Sequence, residues 1–60
     1  MKLYDKVKIK NDKSGKIYYI DNITYDRENT AIVDNLINID DDNDTIDESF
    51  YFSELELAED

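Results

Sequence analysis

The side chains most able to do chemistry in this chain are carboxylates. Asp40, Asp41, Asp42, Asp44, Asp47 and Glu48 crowd into positions 40–48. A calcium loop of the helix–loop–helix type needs oxygens at its first, third and fifth positions, a glycine at the sixth and a bidentate glutamate at the twelfth. Counted from Asp40, Asp42 and Asp44 fit, but Thr45 replaces the glycine and Tyr51 the glutamate. No metal or cofactor is therefore expected, with a weak, irregular cation site as the alternative. Two further readings stay open. The acids can form a solvated loop that keeps a small domain in solution, or a surface for a basic partner. Five extended residues span ~17 Å, and duplex DNA of that length carries ~10 charges. Asp40–Asp44 supplies four. Imitating nucleic acid thus needs a second acidic row, for which Asp34, Asp47, Glu48, Glu54, Glu56, Glu59 and Asp60 are candidates.

Charge is distributed unevenly. Of the 60 residues, 16 are acidic and 7 basic, a net charge of −9. All seven basic residues precede position 28, while positions 28–60 carry only acids. Such asymmetry shapes the field around a protein and biases its partners. Lys6, Lys8 and Lys10 alternate beside Tyr4, and Tyr18 is expected on the neighbouring strand. Basic groups interleaved with aromatics can hold single-stranded nucleic acid. Lysines on a wet strand also guard an edge against aggregation, and with a net charge of −9 this is the preferred reading; no direct nucleic-acid contact is expected.

The chain has no cysteine, histidine or proline and one glycine. That excludes disulfides, thiol or imidazole catalysis and the common zinc sites. No apolar run approaches a membrane span, and the first residues lack a signal-peptide core. A soluble, cytoplasmic protein of one domain, 1–60, is expected. A domain this short leaves little room for a dry pocket, so no enzyme is expected.

Elements that could position these groups follow from hydrophobic spacing. Leu3 to Lys10 alternates, with Leu3, Asp5, Val7 and Ile9 on one face, as a half-buried strand does. Asn11–Gly15 reads as a turn, with Gly15 supplying a positive φ. Lys16 to Ile23 resumes a strand with Ile17 and Tyr19 on one face, and Ile20 and Ile23 break the alternation, which predicts a bulge. Thr24–Asn29 is a polar loop. Thr30–Ile39 is a strand with Ala31, Val33, Ile37 and Ile39 on one face, or a helix with Ile32, Val33, Leu36 and Ile37 in a stripe. Asp40–Asp44 is an acidic loop. Thr45 to Phe52 alternates again, with Ile46, Glu48, Phe50 and Phe52 on one face and Tyr51 facing outward as a contact anchor. Glu48 on that apolar face marks the end of a barrel or a buried carboxylate. A single turn at Ser53–Leu55 then leads into a short last strand.

Tyr4-Asp5-Lys6-Val7-Lys8-Ile9, then Gly15-Lys16-Ile17, and finally Phe52-Ser53-Glu54-Leu55-Glu56-Leu57 resemble the small SH3-like β-barrels. The likeness is to the KOW-like and the short bacterial and phage forms. It implies an all-β, five-stranded SH3-like small barrel, with a 3₁₀ turn before its last strand. The alternative is an α+β fold with a helix at 30–39. The KOW family implies contact with RNA or ribosomal protein surfaces. Proline-rich peptide recognition is not implied, because the chain has no tryptophan.

The expected function is non-enzymatic. An acidic protein docks on a basic, nucleic-acid-binding partner and blocks or modulates it, as phage-encoded inhibitors that mimic nucleic acid do. The partner-binding residues are Asp40, Asp41, Asp42, Asp44, Asp47, Glu48, Tyr51 and Glu54. The alternative is an SH3-like adaptor whose acids serve only solubility.

Overall fold

A computed structural model describes residues 1–58. The chain is all-β. Its elements are β1 (Lys6–Ile9), β2 (Tyr18–Tyr25), β3 (Ala31–Asn38), β4 (Asp41–Ile46), β5 (Phe50–Tyr51), a 3₁₀ turn (Phe52–Glu54) and β6 (Leu55–Leu57). All pairings are antiparallel, in the order β4-β3-β2-β1-β6, with β5 also on β3. Among the described residues no ladder joins β6 back to β4 or β5, so the sheet is open. Among the described residues the strands number six because the expected Thr45–Phe52 strand breaks at residues 47–49. Its two parts lie end to end on the side of β3 away from β2.

Segment 31–38 is a strand, and the spacing that suggested a helix has a local cause. Ile20 pairs with Leu36, Asn22 with Asn35, and Ile23 with Val33. Asp21 is therefore one extra residue on β2, and Asp34 one extra on β3, at the same point of the ladder. Each bulge switches the face of its own strand. Ile20 and Val33 both point inward, as do Leu36 and Asn38. Of the expected inward set of Ala31, Val33, Ile37 and Ile39, Val33 keeps its place, while Leu36 and Asn38 are buried instead of Ile37 and Ile39. On β2, Tyr18 and Ile20 precede the bulge and point inside, with Tyr19 on the opposite face.

The core is small. Val7, Ile20, Val33, Leu36, Leu55 and Tyr18 are buried, and Ile9, Ile23, Ile46, Phe50 and Phe52 pack around them. Each fully buried aliphatic contributes ~1.5–3 kcal/mol, so every strand that supplies one is needed.

The first strand starts later than its alternation suggests. Lys2–Asp5 is a turn, in which Asp5 N–H donates to the Lys2 carbonyl at 3.2 Å and Lys2 N–H to Asp5 Oδ2 at 3.0 Å. Leu3 is consequently exposed. Tyr4 has φ 70°, a region that favours glycine. Its N–H donates to the Ile20 carbonyl at 2.8 Å, while Ile20 N–H donates to Asp5 at 3.1 Å. This is a bulge of the glycine type with a tyrosine in the glycine position, a conformation that costs ~1–2 kcal/mol. Gly15 has φ 74°, as its turn requires, and open space surrounds it.

Among the described residues one polar residue is buried. Asn38 is 7% exposed. Its Nδ2 donates to Asp44 Oδ2 at 2.9 Å, and its Oδ1 accepts Asp40 N–H at 2.9 Å. The amide thereby fixes the two-residue turn Ile39–Asp40 and the start of β4. Replacing Asn38 with alanine leaves the Asp40 N–H and the Asp44 carboxylate without this partner. The expected loss is ~1–3 kcal/mol, read as a lower urea midpoint; an unchanged midpoint contradicts the assignment.

Candidate functional site: an acidic sheet edge

The acids expected to act together are carried by the β4–β5 side of the sheet. Asp40 occupies the hairpin turn, so the expected loop Asp40–Asp44 is a tight turn followed by strand β4. Within β4, Asn38 pairs with Asp41 and the next rung joins Ile37 to Thr45. The three residues between, Asp42–Asp44, arch out of the ladder. Asp41 Oδ1 accepts Asn43 N–H at 3.0 Å, which shapes the arch. At its base Asp44 meets Asn38 at 2.9 Å and Lys16 Nζ at 3.5 Å. The Asn38 hydrogen bond, and less strongly Lys16, hold the Asp44 carboxyl below the usual carboxylate range. Burial, and then the Asp44 charge, raise the Tyr18 hydroxyl.

Beyond Ile46 the chain leaves the ladder. Asp47 and Glu48 are exposed, so Glu48 does not join the apolar face assigned to it by alternation. Ser49 Oγ donates to Asp34 Oδ1 at 3.0 Å, which anchors this link over β3. Tyr51 then pairs with Ile32 and is 46% exposed. Among the described residues, the carboxylates of Asp40, Asp42, Asp47 and Glu48 accept no hydrogen bond.

Glu54 and Glu56 have other surroundings. Glu54 Oε1 accepts Tyr51 N–H at 3.0 Å and caps the 3₁₀ turn. Lys10 N–H donates to the Glu54 carbonyl at 3.1 Å, and Glu56 pairs directly with Lys8. Opposite charges face each other along β1 and β6, a pairing that stabilises sheets. Asp34 thus joins the acidic edge, whereas Glu54 and Glu56 sit beside the lysines. Glu59 and Asp60 lie outside the described residues.

Tyr18, expected beside Tyr4, is 3% exposed. Tyr19 takes that place, its ring centroid 6.3 Å from Tyr4 at a tilt of 47°. Because Tyr18 and Tyr19 are adjacent in sequence, only the hairpin register decides which of them turns inward.

The acidic edge and the basic strand are electrically separate. Two strands lie between β1 and β4, which places them ~14 Å apart. The screening length at 0.15 M salt is ~8 Å. The lysines of β1 therefore do little to neutralise β4 at physiological salt, and no basic residue lies on β3, β4 or β5.

Among the described residues no cavity forms, and no group of three acids converges as a metal holder. Comparison of the chain with family models, curated proteins and solved structures gives no match.

Two outcomes are expected in solution. Asp44 and Asp12 both have lowered pKa values, Asp12 through hydrogen bonds from Ser14. Their folded values lie below the ordinary 3.8, so their stabilisation is complete above that pH and fades as pH falls beneath it. An acid titration of thermal unfolding should show this limb, and Asp44→Asn should flatten it. Adding sodium chloride should raise the melting temperature, because it screens the unpaired carboxylates of the edge. A flat response would mean that these carboxylates do not repel one another.

Proposed function

We propose that this chain is a small non-enzymatic binding protein whose acidic β4–β5 edge docks on a basic, nucleic-acid-binding protein and blocks or modulates it. The observation that carries the reading is the gathering of exposed carboxylates on one strand edge with no basic residue on the strands beneath them. Linear charge density makes it more specific. From the Asn38 rung to the Ile32 rung the edge runs ~20 Å. Asp34, Asp40, Asp41, Asp42, Asp44, Asp47 and Glu48 occupy it, one carboxylate per ~3 Å. A single nucleic-acid strand carries one charge per ~3.4 Å, and a duplex one per ~1.7 Å. The edge imitates one strand, and the partner surface it fits is a groove for single-stranded nucleic acid. Tyr51, exposed at the far end of the edge, is the stacking anchor.

The fold belongs to the same proposal. We read the domain as SH3-like and cytoplasmic, of the kind that phages encode as inhibitors. The meander from β2 to β4, the 3₁₀ turn and the return of β6 to β1 support the SH3-like reading.

The test is capture from a bacterial lysate at low salt on the immobilised chain. Proteins retained by the edge should be displaced by single-stranded DNA more readily than by duplex, and should dissociate steeply as salt rises. A variant with Asp41→Asn, Asp42→Asn, Asp47→Asn and Glu48→Gln should remain folded and retain at least tenfold less. Equal retention by that variant would overturn the reading in favour of an adaptor whose acids serve solubility.

A further inference from the structure

The far half of β2 has a neighbouring strand on one side only. β1 pairs with Tyr18 and Tyr19, and the turn that enters it bonds no further along β2 than Ile20. Beyond that point β2 pairs with β3 alone, through Asn22, Ile23, Thr24 and Tyr25. The turn that closes this hairpin fixes where the backbone groups point. Asp26 N–H donates to the Thr30 carbonyl at 3.0 Å, so Asp26 and Thr30 face each other as a hydrogen-bonded pair. Such pairs alternate along an antiparallel ladder. Thr24 and Ile32 form the next one, and Tyr25 and Ile23 turn their N–H and C=O groups away from β3. Among the described residues no strand or side chain meets those groups. An edge is usually guarded by a charge, a bulge or a proline. The other flank of the sheet has its arch and its acids, whereas Ile23-Thr24-Tyr25 has none of these.

We infer that this edge joins two copies of the chain, β2 against β2, as a two-fold dimer with one continuous sheet. An edge strand that meets its own copy antiparallel makes an isologous contact. The register that uses every outward group puts the axis at Thr24, so that Ile23 of each copy lies opposite Tyr25 of its mate. Each outward N–H then meets an outward C=O. Ile23 packs at the rim of the core, and Tyr25, two residues on and so on the same face, is 63% exposed. Their meeting is an aromatic–β-branched cross-strand pair that extends the core into the mate. The same register brings Arg27 level with Asp21 of the mate. Both are exposed, and among the described residues Arg27 has no ion pair within its own copy. A foreign peptide gains little here, because Ile23 and Tyr25 alone offer it bonds against the entropy of ordering it. A second copy brings the same segment already straightened by β3, with the side chains that match it. The acidic edge lies on the other side of β3 and stays uncovered, so this inference and the proposed function fail separately.

Sedimentation equilibrium of the isolated chain, from micromolar to millimolar at physiological salt, should rise to twice the monomer mass and level off there. The Ile23 and Tyr25 amides, open in the monomer, should become protected from hydrogen exchange as the dimer forms. Tyr25→Pro removes an outward N–H and an exposed ring at a position where an edge strand accepts proline. It should weaken association at least about tenfold. Arg27→Glu, on an exposed turn, sets an acid against Asp21 and should weaken association severalfold. This second variant keeps the test decisive if Tyr25→Pro fails to fold. Monomer mass at every concentration, growth past the dimer without a plateau, a dimer in which the Ile23 and Tyr25 amides stay open, or undiminished association of a folded variant would each overturn the inference.

Discussion

A compensated pair of bulges is the constraint on which the other features rest. Asp21 and Asp34 each add one residue at the same point of the β2–β3 ladder, so pairing resumes in its original register beyond them. Either bulge alone would leave one strand with its apolar residues facing water. Together they allow Ile20 and Leu36 to meet at one rung and Ile23 and Val33 at another, all toward one core. Aspartate suits both positions, since its side chain can bond locally outside the ladder. Asp21 accepts Asn35 Nδ2 at 3.2 Å, and Asp34 accepts Ser49 Oγ at 3.0 Å. The second bond fastens the link between β4 and β5, which carries Asp47 and Glu48. Fold and edge therefore share an anchor.

The acids divide into two populations by what surrounds them. Asp5, Asp12, Asp26, Asp41 and Glu54 close turns by accepting nearby backbone N–H groups. In a chain without proline and with one glycine, carboxylates do much of the turn-making that those residues do elsewhere. Asp40, Asp42, Asp47 and Glu48 have no such task. Their exposure along the β4–β5 side separates charge with no structural partner from charge needed for shape.

Much of the strand pattern was legible in the sequence. The bulge near Ile20–Ile23, the positive φ at Gly15, the outward Tyr51 and the turn before the last strand all follow from local spacing. What alternation could not reveal was any event involving two strands at once. Val33 and Leu36 stand three apart, as on one side of a helix, only because Asp34 is looped out opposite Asp21. Tyr18 and Tyr19 exchanged their expected faces through hairpin register. Glu48 left its apolar row because the ladder ends at Ile46. The acidic edge was legible as a run of charge. Its separation from the lysines required the strand order, which no single segment encodes.

The order β4-β3-β2-β1-β6 has an electrical consequence as well as a structural one. With unpaired carboxylates along one flank and the β1 lysines three strands away, charge is unevenly divided across the sheet. A charged object approaching through solution exerts a torque on such a body before any contact forms. Were the edge to meet a basic partner as proposed, encounters would begin in one orientation instead of sampling all of them.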